Sequence, residues 1–131
     1  MKRVLLVEDN ESTIDVVEME LKCLGYEVVI ARDGLQALDR VAEQLPDLVI
    51  MDIHLPKMNG FEAVRRIRTN PAVCDIPILA ATAKALNGDQ EKCLEAGCDG
   101  YIAKPFTHSE LETAINGMMK RRLSNLKLDE K

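Results

Sequence analysis

The chain alternates short continuous runs of apolar residues with stretches in which apolar residues recur every three or four positions. Such runs are typical of strands buried on both faces, and they predict strands at 4–7, 28–31, 48–51, 78–81 and 101–103. The recurring positions between the runs predict amphipathic helices. The pattern therefore predicts five consecutive strand–helix units.

Residues suited to capping mark where the helices begin. The candidate N-caps are Asn10, Asp33, Asn59, Asn87 and Thr107, the last of which opens the capping box Thr107-His-Ser-Glu110. Gly25 and Gly97 predict helix ends, because glycine is common just beyond a C-cap. The helically spaced apolar positions include Leu35 and Leu94.

Strands this apolar need helices against both faces of their sheet. Right-handed crossovers then give an open, doubly wound α/β fold of the flavodoxin-like type, with five parallel strands in the order 2-1-3-4-5. In such a sheet the site forms at the carboxyl ends of the strands where the strand order reverses, here between the first and third strands. We expect functional side chains at that edge.

Composition narrows the possible functions. At 131 residues the chain has the size of one domain, and its net charge of −5 argues against nucleic-acid binding, which needs a basic face. Aromatic residues make up only 3%, so stacking platforms for bases or flavins are not expected. Without a membrane-length apolar run or a signal peptide, we expect a cytoplasmic protein with no membrane partner. The four cysteines form no C-x-x-C pair, so neither a zinc site nor a disulfide framework is expected.

Polar residues follow four of the predicted strands at the edge where the site is expected. Glu8 and Asp9 follow the first strand, Asp52 the third, Thr82 the fourth and Lys104 the fifth. Carboxylates about 4 Å apart repel by roughly 4 kcal/mol per pair at an effective dielectric near 20, so three of them need a cation or must bind protons. Oxygen ligands favour a hard ion, and a site with few protein ligands favours Mg²⁺ over a fully caged Ca²⁺, with Mn²⁺ as the alternative. Lys104 and Thr82 suit the oxygens of a phosphoryl group, which a carboxylate nucleophile can accept.

Each of these residues also has a purely structural interpretation. Asp52 can cap the loop after its strand. Glu8 and Asp9 can be charges at a helix N-terminus, where the helix dipole favours them. Thr82 can be a plain strand terminus, and Lys104 a solvated surface lysine. The convergence of all five on one edge favours the functional interpretation.

Basic residues in two helices have structural interpretations as well. Arg65, Arg66 and Arg68 are expected to form a solvated helix face and not a nucleic-acid site. The run at 120–122 is expected to complement the C-terminus of the last helix. From Ser124 onward the chain is polar, and we expect a frayed end.

Four stretches carry the chemistry that these patterns predict. They are Val7-Glu-Asp-Asn10, Met51-Asp-Ile-His-Leu-Pro-Lys-Met-Asn-Gly60, Ala81-Thr-Ala83 and Tyr101-Ile-Ala-Lys-Pro105. Together they resemble the response regulator receiver domain of two-component signalling, over residues 1–122, with 123–131 left as a short polar tail. The resemblance implies that Asp52 accepts a phosphoryl group from a phosphohistidine. It also implies that Glu8, Asp9 and Asp52 hold Mg²⁺ together with the backbone carbonyl of His54.

The resemblance further implies a switch. Thr82 and Lys104 would contact the phosphoryl oxygens, the Lys104–Pro105 peptide would be cis, and Tyr101 would be an aromatic whose rotamer follows Thr82. For Tyr101, an ordinary half-buried strand aromatic is the rival interpretation. The implied partners are a histidine kinase or histidine phosphotransfer protein and, through the fourth helix, fifth strand and fifth helix, a downstream protein. The chain would be a monomer that catalyses its own phosphorylation and dephosphorylation.

Other function classes stay as alternatives. A metal-dependent phosphatase with an aspartyl nucleophile usually has a second Asp two residues later, where this chain has His54. A flavin carrier of this topology needs a loop rich in glycine and hydroxyl residues after the first strand, where this chain has Glu8-Asp9-Asn10. A phosphorylation-independent binding module on the same fold remains open, as does a receiver domain excised from a hybrid kinase or a longer regulator. No effector domain follows, so we expect an output through protein contact.

Overall fold

Strands and helices alternate along the part of the chain that the computed structural model describes, residues 2–55, 58–82 and 89–129. The strands are β1 (Arg3–Val7), β2 (Glu27–Ala31), β3 (Leu48–Asp52), β4 (Ile78–Thr82) and β5 (Gly100–Ala103). The helices are α1 (Glu11–Cys23), α2 (Gly34–Gln44), α3 (Gly60–Thr69), α4 (Asp89–Ala96) and α5 (His108–Asp129). The five predicted strand–helix units are confirmed. Within these residues, no helix combines the length and the hydropathy that crossing a membrane requires.

The strands form one parallel sheet in the order β2-β1-β3-β4-β5. In the register of this sheet, Val4 pairs with Val28 on one side and with Leu48 on the other. β1 therefore lies between β2 and β3, and the strand order reverses there. This is the predicted flavodoxin-like topology, and it places the crevice of the sheet between the ends of β1 and β3.

Two apolar cores lie on opposite faces of the sheet. One face is covered by α2, α3 and α4 through Ala37, Val41, Ala63, Val64, Ile67 and Cys93. The other is covered by α1 and α5 through Val17, Leu21, Leu111, Ile115 and Met118. β3 and β4 are buried along their whole length, which explains their continuous apolar sequence.

Predicted caps begin four of the helices. The side chains of Asn10, Asp33 and Asn59 accept hydrogen bonds from the amides of Thr13 (3.0 Å), Gln36 (2.8 Å) and Glu62 (3.0 Å). Thr107 and Glu110 form the reciprocal capping box, with both bonds at 3.1 Å. The fifth candidate, Asn87, lies outside the described residues. Each cap satisfies an amide that the helix leaves unpaired, and each is worth about 1 kcal/mol.

Two apolar helix positions do not pack inward. Leu35 is 48% exposed and Leu94 is 57% exposed. In α2 the positions against the core are instead held by small residues, Gly34 and Ala37, together with Val41. Small residues let the helix lie close to its neighbours, so the buried face of α2 is set by fit and not by the largest side chains.

The last helix is longer than its composition suggested. The sequence predicts a frayed end from Ser124, but α5 continues to Asp129. The segment 118–129 contains neither glycine nor proline and is rich in Leu, Lys and Arg, which are good helix formers. The basic run at 120–122 is therefore not in the last turn of α5, and its expected interaction with a helix C-terminus is wrong.

The three arginines of α3 do not share one environment. Arg65 and Arg66 are exposed and form ion pairs with Glu62, as a solvated face requires. Arg68 departs from the prediction, because its side chain is only 19% exposed and forms an ion pair with Asp99 at 2.8 Å. A long side chain can turn back over its helix end, so helical period alone did not locate this guanidinium.

Candidate functional site

The carboxyl ends of the strands bring the predicted site residues to one edge of the sheet, here called the carboxyl edge. Asp52 is the last residue of β3, and Thr82 is the last residue of β4. Glu8 follows β1 directly, and Lys104 follows β5. These residues come from four strands that are far apart in sequence but parallel in the sheet, so their ends meet at the carboxyl edge.

Three carboxylates form a compact cluster at the crevice. One carboxylate oxygen from each of Glu8, Asp9 and Asp52 lies within 4.8 Å of the other two. Glu8 is 3% exposed and Asp52 is 6% exposed, whereas Asp9 is exposed to solvent. Carboxylates this close, two of them nearly buried, repel one another, and they create a demand for positive charge.

Lys104 meets part of that demand. Its ammonium forms an ion pair with Glu8 Oε1 and lies 3.4 Å from Asp52 Oδ2. The lysine side chain is 16% exposed, so the ion pair is only weakly screened by water. One ammonium among three carboxylates leaves an excess of negative charge, which suits a divalent cation.

Backbone amides orient the carboxylates. Glu8 Oε2 accepts hydrogen bonds from the amides of Asp9 (3.0 Å) and Asn10 (3.2 Å). Asp52 Oδ1 accepts one from the amide of His54 at 3.0 Å. The other oxygen of each carboxylate, Glu8 Oε1 and Asp52 Oδ2, faces Lys104. The loop after β3 thus holds Asp52 in one orientation with one oxygen directed toward the shared cation.

The remaining predicted residues surround this cluster. The His54 residue is exposed, and its amide already serves Asp52. The Lys104–Pro105 peptide bond is cis, as the resemblance implies. Pro56, Lys57 and Ala83 of the matching stretches lie outside the described residues.

Thr82 and Tyr101 lie on the sheet face that α2, α3 and α4 cover. Thr82 is fully buried and pairs with Ala103, and Tyr101 pairs with Ala80, two residues earlier in β4. Alternate residues of a strand share a face, so the two side chains are diagonal neighbours. Tyr101 is partly buried against the core of that face, as expected of a half-buried strand aromatic and of a switch residue alike.

An exposed ion pair lies at the rim of the crevice. Arg32, which follows β2, pairs with Glu11 in the first turn of α1. The hydrogen bond from Arg32 lowers the pKa of the Glu11 carboxyl, and the same contact raises the pKa of the Arg32 guanidinium. Glu11 therefore has its own counter-charge and need not join the acidic cluster.

The sequence did not predict the groove beside Lys104. A groove of about 480 Å³ runs between α1 and the segment after β5, and its lining includes Val16, Val17, Lys104 and Phe106. Val16 is 56% exposed, so α1 presents apolar surface to solvent as well as to the core. The sequence signal for this groove was the presence of apolar residues in α1, such as Val16, outside the helically spaced positions. Only the fold shows that they are exposed beside the site.

Comparison with known protein families shows the family to which this chain belongs. A sequence model of the response regulator receiver domain matches residues 4–116. The chain belongs to this family. The match includes every residue of the candidate site, from Glu8 to Lys104. Receiver domains act in two-component signalling, where they interact with kinases and downstream targets.

Individual receiver proteins resemble this one over most of their length. The chain is 40% identical over 106 residues to the polar-differentiation response regulator DivK of Brucella anthropi, covering 81% of this chain and 86% of that protein. The crystal structure of a response regulator from Chloroflexus aurantiacus superposes with a TM-score of 0.86 at 33% identity, covering 91% of this chain and 98% of that one. The receiver domain of the sensor histidine kinase PA1611 from Pseudomonas aeruginosa superposes with a TM-score of 0.79 at 44% identity, covering 85% and 91%. That receiver has a magnesium ion coordinated in its active-site cleft.

The acidic cluster of this chain fits the same kind of ion. Three carboxylates within 4.8 Å form an all-oxygen donor set without Cys or His side chains, which favours a hard cation such as Mg²⁺. Few protein ligands and an exposed Asp9 leave room for water and for a ligand oxygen, as Mg²⁺ prefers.

Proposed function

We propose that this protein is a phosphoacceptor of a two-component system, in which Asp52 accepts a phosphoryl group from a phosphohistidine. The observation that supports this proposal is the environment of Asp52. Its carboxylate is nearly buried at the end of β3, accepts a hydrogen bond from the His54 amide and faces Lys104. An Asp52 oxygen forms the bond to phosphorus while the bond from phosphorus to the imidazole nitrogen breaks. The imidazole keeps that electron pair, and Asp52 becomes an acyl phosphate.

Lys104 and Thr82 would stabilise the transferred group. The Lys104 ammonium already lies 3.4 Å from Asp52 Oδ2, so it can follow the charge that develops on the phosphoryl oxygens. Thr82 ends the strand next to β3, so its hydroxyl group would be available to a phosphoryl group on Asp52. Both groups belong to the folded protein before the donor arrives, so the site needs little rearrangement during the reaction.

Glu8, Asp9, Asp52 and the His54 carbonyl would hold Mg²⁺. When bound, the ion neutralises charge on the carboxylates and on the phosphoryl oxygens. The chain's own part is to supply oriented oxygens, since the amides of Asp9, Asn10 and His54 leave the carboxylates few alternative orientations.

The phosphodonor would dock at the groove between α1 and the segment after β5. This groove has Lys104 in its wall, so a protein bound there reaches Asp52 without crossing the rest of the sheet. Exposed apolar residues of α1, Val16 and Met19, offer the contact area that a helical partner needs. We propose a cytoplasmic, monomeric protein whose donor is a histidine kinase or a histidine phosphotransfer protein.

The output would leave through α4, β5 and α5. Phosphorylation adds charge next to Thr82, and Tyr101 is its diagonal neighbour on the same face. A hydroxyl drawn toward the phosphoryl group would leave space for the aromatic ring to move inward, which changes the surface that a downstream protein binds. The coupling between the two events is expected to be about 1–3 kcal/mol.

The test of this function is phosphorylation of Asp52→Asn with acetyl phosphate and Mg²⁺, followed by intact mass. The amide has the shape of the carboxylate and can still accept from His54, so the variant should fold and gain no phosphate. Asp39→Asn, an exposed position on α2, is the matched control and should be phosphorylated like the wild type. An undiminished adduct in Asp52→Asn would assign the nucleophile elsewhere.

A further inference from the structure

The loop that follows Asp52 is closed by a glycine. A Cβ on Gly60 would lie 2.5 Å from the Asp52 carbonyl oxygen and 2.7 Å from Ile53 Cα. The Gly60 amide also donates a hydrogen bond to the Ile53 carbonyl at 2.9 Å. The first turn of α3 therefore rests directly on the backbone of the candidate phosphoacceptor, where no side chain fits.

A second glycine, in the neighbouring helix α2, contacts the same loop. Gly34, the first residue of α2, would place a Cβ 2.6 Å from the Met58 carbonyl oxygen and 2.7 Å from Met58 Cβ. These atoms belong to the backbone and to its first side-chain carbon, so a change of rotamer cannot move them away. An added methyl group at Gly34 must displace the loop or the helix.

Close approach, and not backbone conformation, explains both glycines. Neither Gly34 nor Gly60 has a positive φ, in contrast to Gly25 (φ +94°) and Gly97 (φ +113°). Gly117 in α5 differs again, because its added Cβ would meet only Arg121 Nη1 at 3.6 Å, an ordinary contact.

We propose that Gly34 is a positioning residue for the magnesium site, acting through Met58. By allowing α2 to contact the Met58 backbone, it fixes the approach to Gly60, which lies against the backbone of Asp52 and Ile53. The next residue is His54, whose amide holds Asp52 and whose carbonyl is the proposed ligand. The role rests on the proposed function, because it concerns the metal affinity of that site. The three atoms nearest a Cβ on Gly34 all belong to Met58, which is not a proposed metal ligand, so the effect of Gly34 on the site is indirect.

Gly34→Ala tests the proposal, with Gly117→Ala as the matched control. Both place a methyl group in a helix, but only the first meets a backbone within 3 Å. In Gly34→Ala the dissociation constant for Mg²⁺, from calorimetric titration, should rise about tenfold, the usual effect of displacing an outer contact of a metal site. The NMR signal of the His54 amide should move in the metal-free protein. Gly117→Ala should leave both unchanged.

Each outcome decides the proposal. An unchanged His54 amide and unchanged Mg²⁺ affinity in a folded Gly34→Ala protein would overturn it, even if the unfolding free energy changed. If Gly34→Ala does not fold, Met58→Gly loosens the same contact from the loop side, because it removes the Cβ that faces Gly34. That variant should move the same amide and weaken Mg²⁺ binding, and unchanged values there would overturn the proposal. A wild-type protein that binds no Mg²⁺ contradicts the proposed function instead, while the metal-free His54 shift still tests whether Gly34 positions the loop.

Discussion

A cation pairs with a carboxylate both at the carboxyl ends and at the amino ends of the strands, but the two pairs have different surroundings. At the carboxyl edge, Lys104 pairs with Glu8 and Asp52 while Asp9 lies beside them. At the opposite edge, here called the amino edge, Arg68 pairs with Asp99 just before β5 begins.

The amino edge is a closed network. The Arg68 guanidinium donates to the carbonyls of Gly97 (2.9 Å), Cys74 (2.8 Å) and Ile76 (2.6 Å) as well as to Asp99. The same oxygen of Asp99, Oδ2, accepts from the amide of Ile78 at 2.9 Å. A planar group with five donors can join the end of α3, the approach to β4 and the turn before β5.

The carboxyl edge is left incomplete by comparison. The ammonium of Lys104 is a point charge with three donors, and it faces more negative charge than it can balance. Charges whose partners are all present stabilise the fold, whereas an imbalance of charge on a rigid edge creates a place for a ligand. Substitutions at the two edges should therefore change different quantities.

The largest effect on stability is expected from Arg68→Ala. It leaves three backbone carbonyls without their donor and Asp99 without its counter-charge, so the unfolding free energy should fall by about 3 kcal/mol. Urea denaturation measures this loss. Arg65→Ala, an exposed position on the same helix, should change stability by less than about 0.5 kcal/mol. Equal losses in the two variants would mean that the network at the amino edge contributes nothing beyond the helix itself.

Alkaline pH should weaken the amino edge through Cys98. Burial, with a smaller contribution from Cys93, raises the pKa of this thiol from 9.0 to about 12. A raised pKa contributes stability that is present below pH 9 and is lost as the pH rises toward 12, by up to about 1.4 kcal/mol per pH unit. The stability advantage of the wild type over Cys98→Ala should thus be smaller at pH 10.5 than at pH 8. Cys23→Ala, at an exposed thiol, serves as the control, and a constant advantage over Cys98→Ala would refute the prediction.

Relief of charge at the carboxyl edge should have a smaller effect of the opposite sign. Asp9→Asn removes one of three clustered carboxylates, so metal-free protein should gain about 0.5 kcal/mol and melt roughly 2 °C higher. Because Asp9 is exposed, 1 M salt should abolish the gain, and Mg²⁺ affinity should fall. Differential scanning calorimetry with Asp15→Asn as control measures the gain. A drop of several degrees would show that Asp9 is a structural cap.

The smallest expected change is a displacement of the backbone around β5, without loss of stability. Beryllofluoride, a mimic of phosphorylated Asp52, should shift the amide signals from Tyr101 to Phe106 while those of Asp99 and Gly100 at the amino edge stay in place. Thr82→Ala should remove the shifts from Tyr101 to Phe106, and Thr82→Ser, which keeps the hydroxyl group, should preserve them. If NMR shows the Tyr101–Phe106 shifts intact in Thr82→Ala, the signal leaves the site by another route.

The carboxyl edge could be predicted because its residues stand at strand ends. Buried parallel strands are readable as continuous apolar runs, so the polar residue after each run, such as Asp52 or Lys104, could be placed without a structure. The same local logic located four helix caps. It failed for Leu35, where packing favoured the smaller Gly34 and Ala37 against the core.

The amino edge could not be predicted, because no local pattern describes it. Arg68 shares a helix with Arg65 and Arg66, and nothing in that run distinguishes it. Its partners come from the segment after α3 and from the turn between α4 and β5, and they reach it only when those elements are packed.

The sequence by itself determined the elements, their order and the type of side chain at each strand end, because periodicity and capping act over a few neighbouring residues. Only the tertiary structure decided which strand ends meet. Placing β1 between β2 and β3 brings Glu8 beside Asp52, 44 positions away. Pairing β5 with β4, as the last strand of the sheet, brings Lys104 to both carboxylates. The charge imbalance of the site is therefore a property of the sheet and not of any segment, since electrostatic energy depends on distances that only the assembled fold sets.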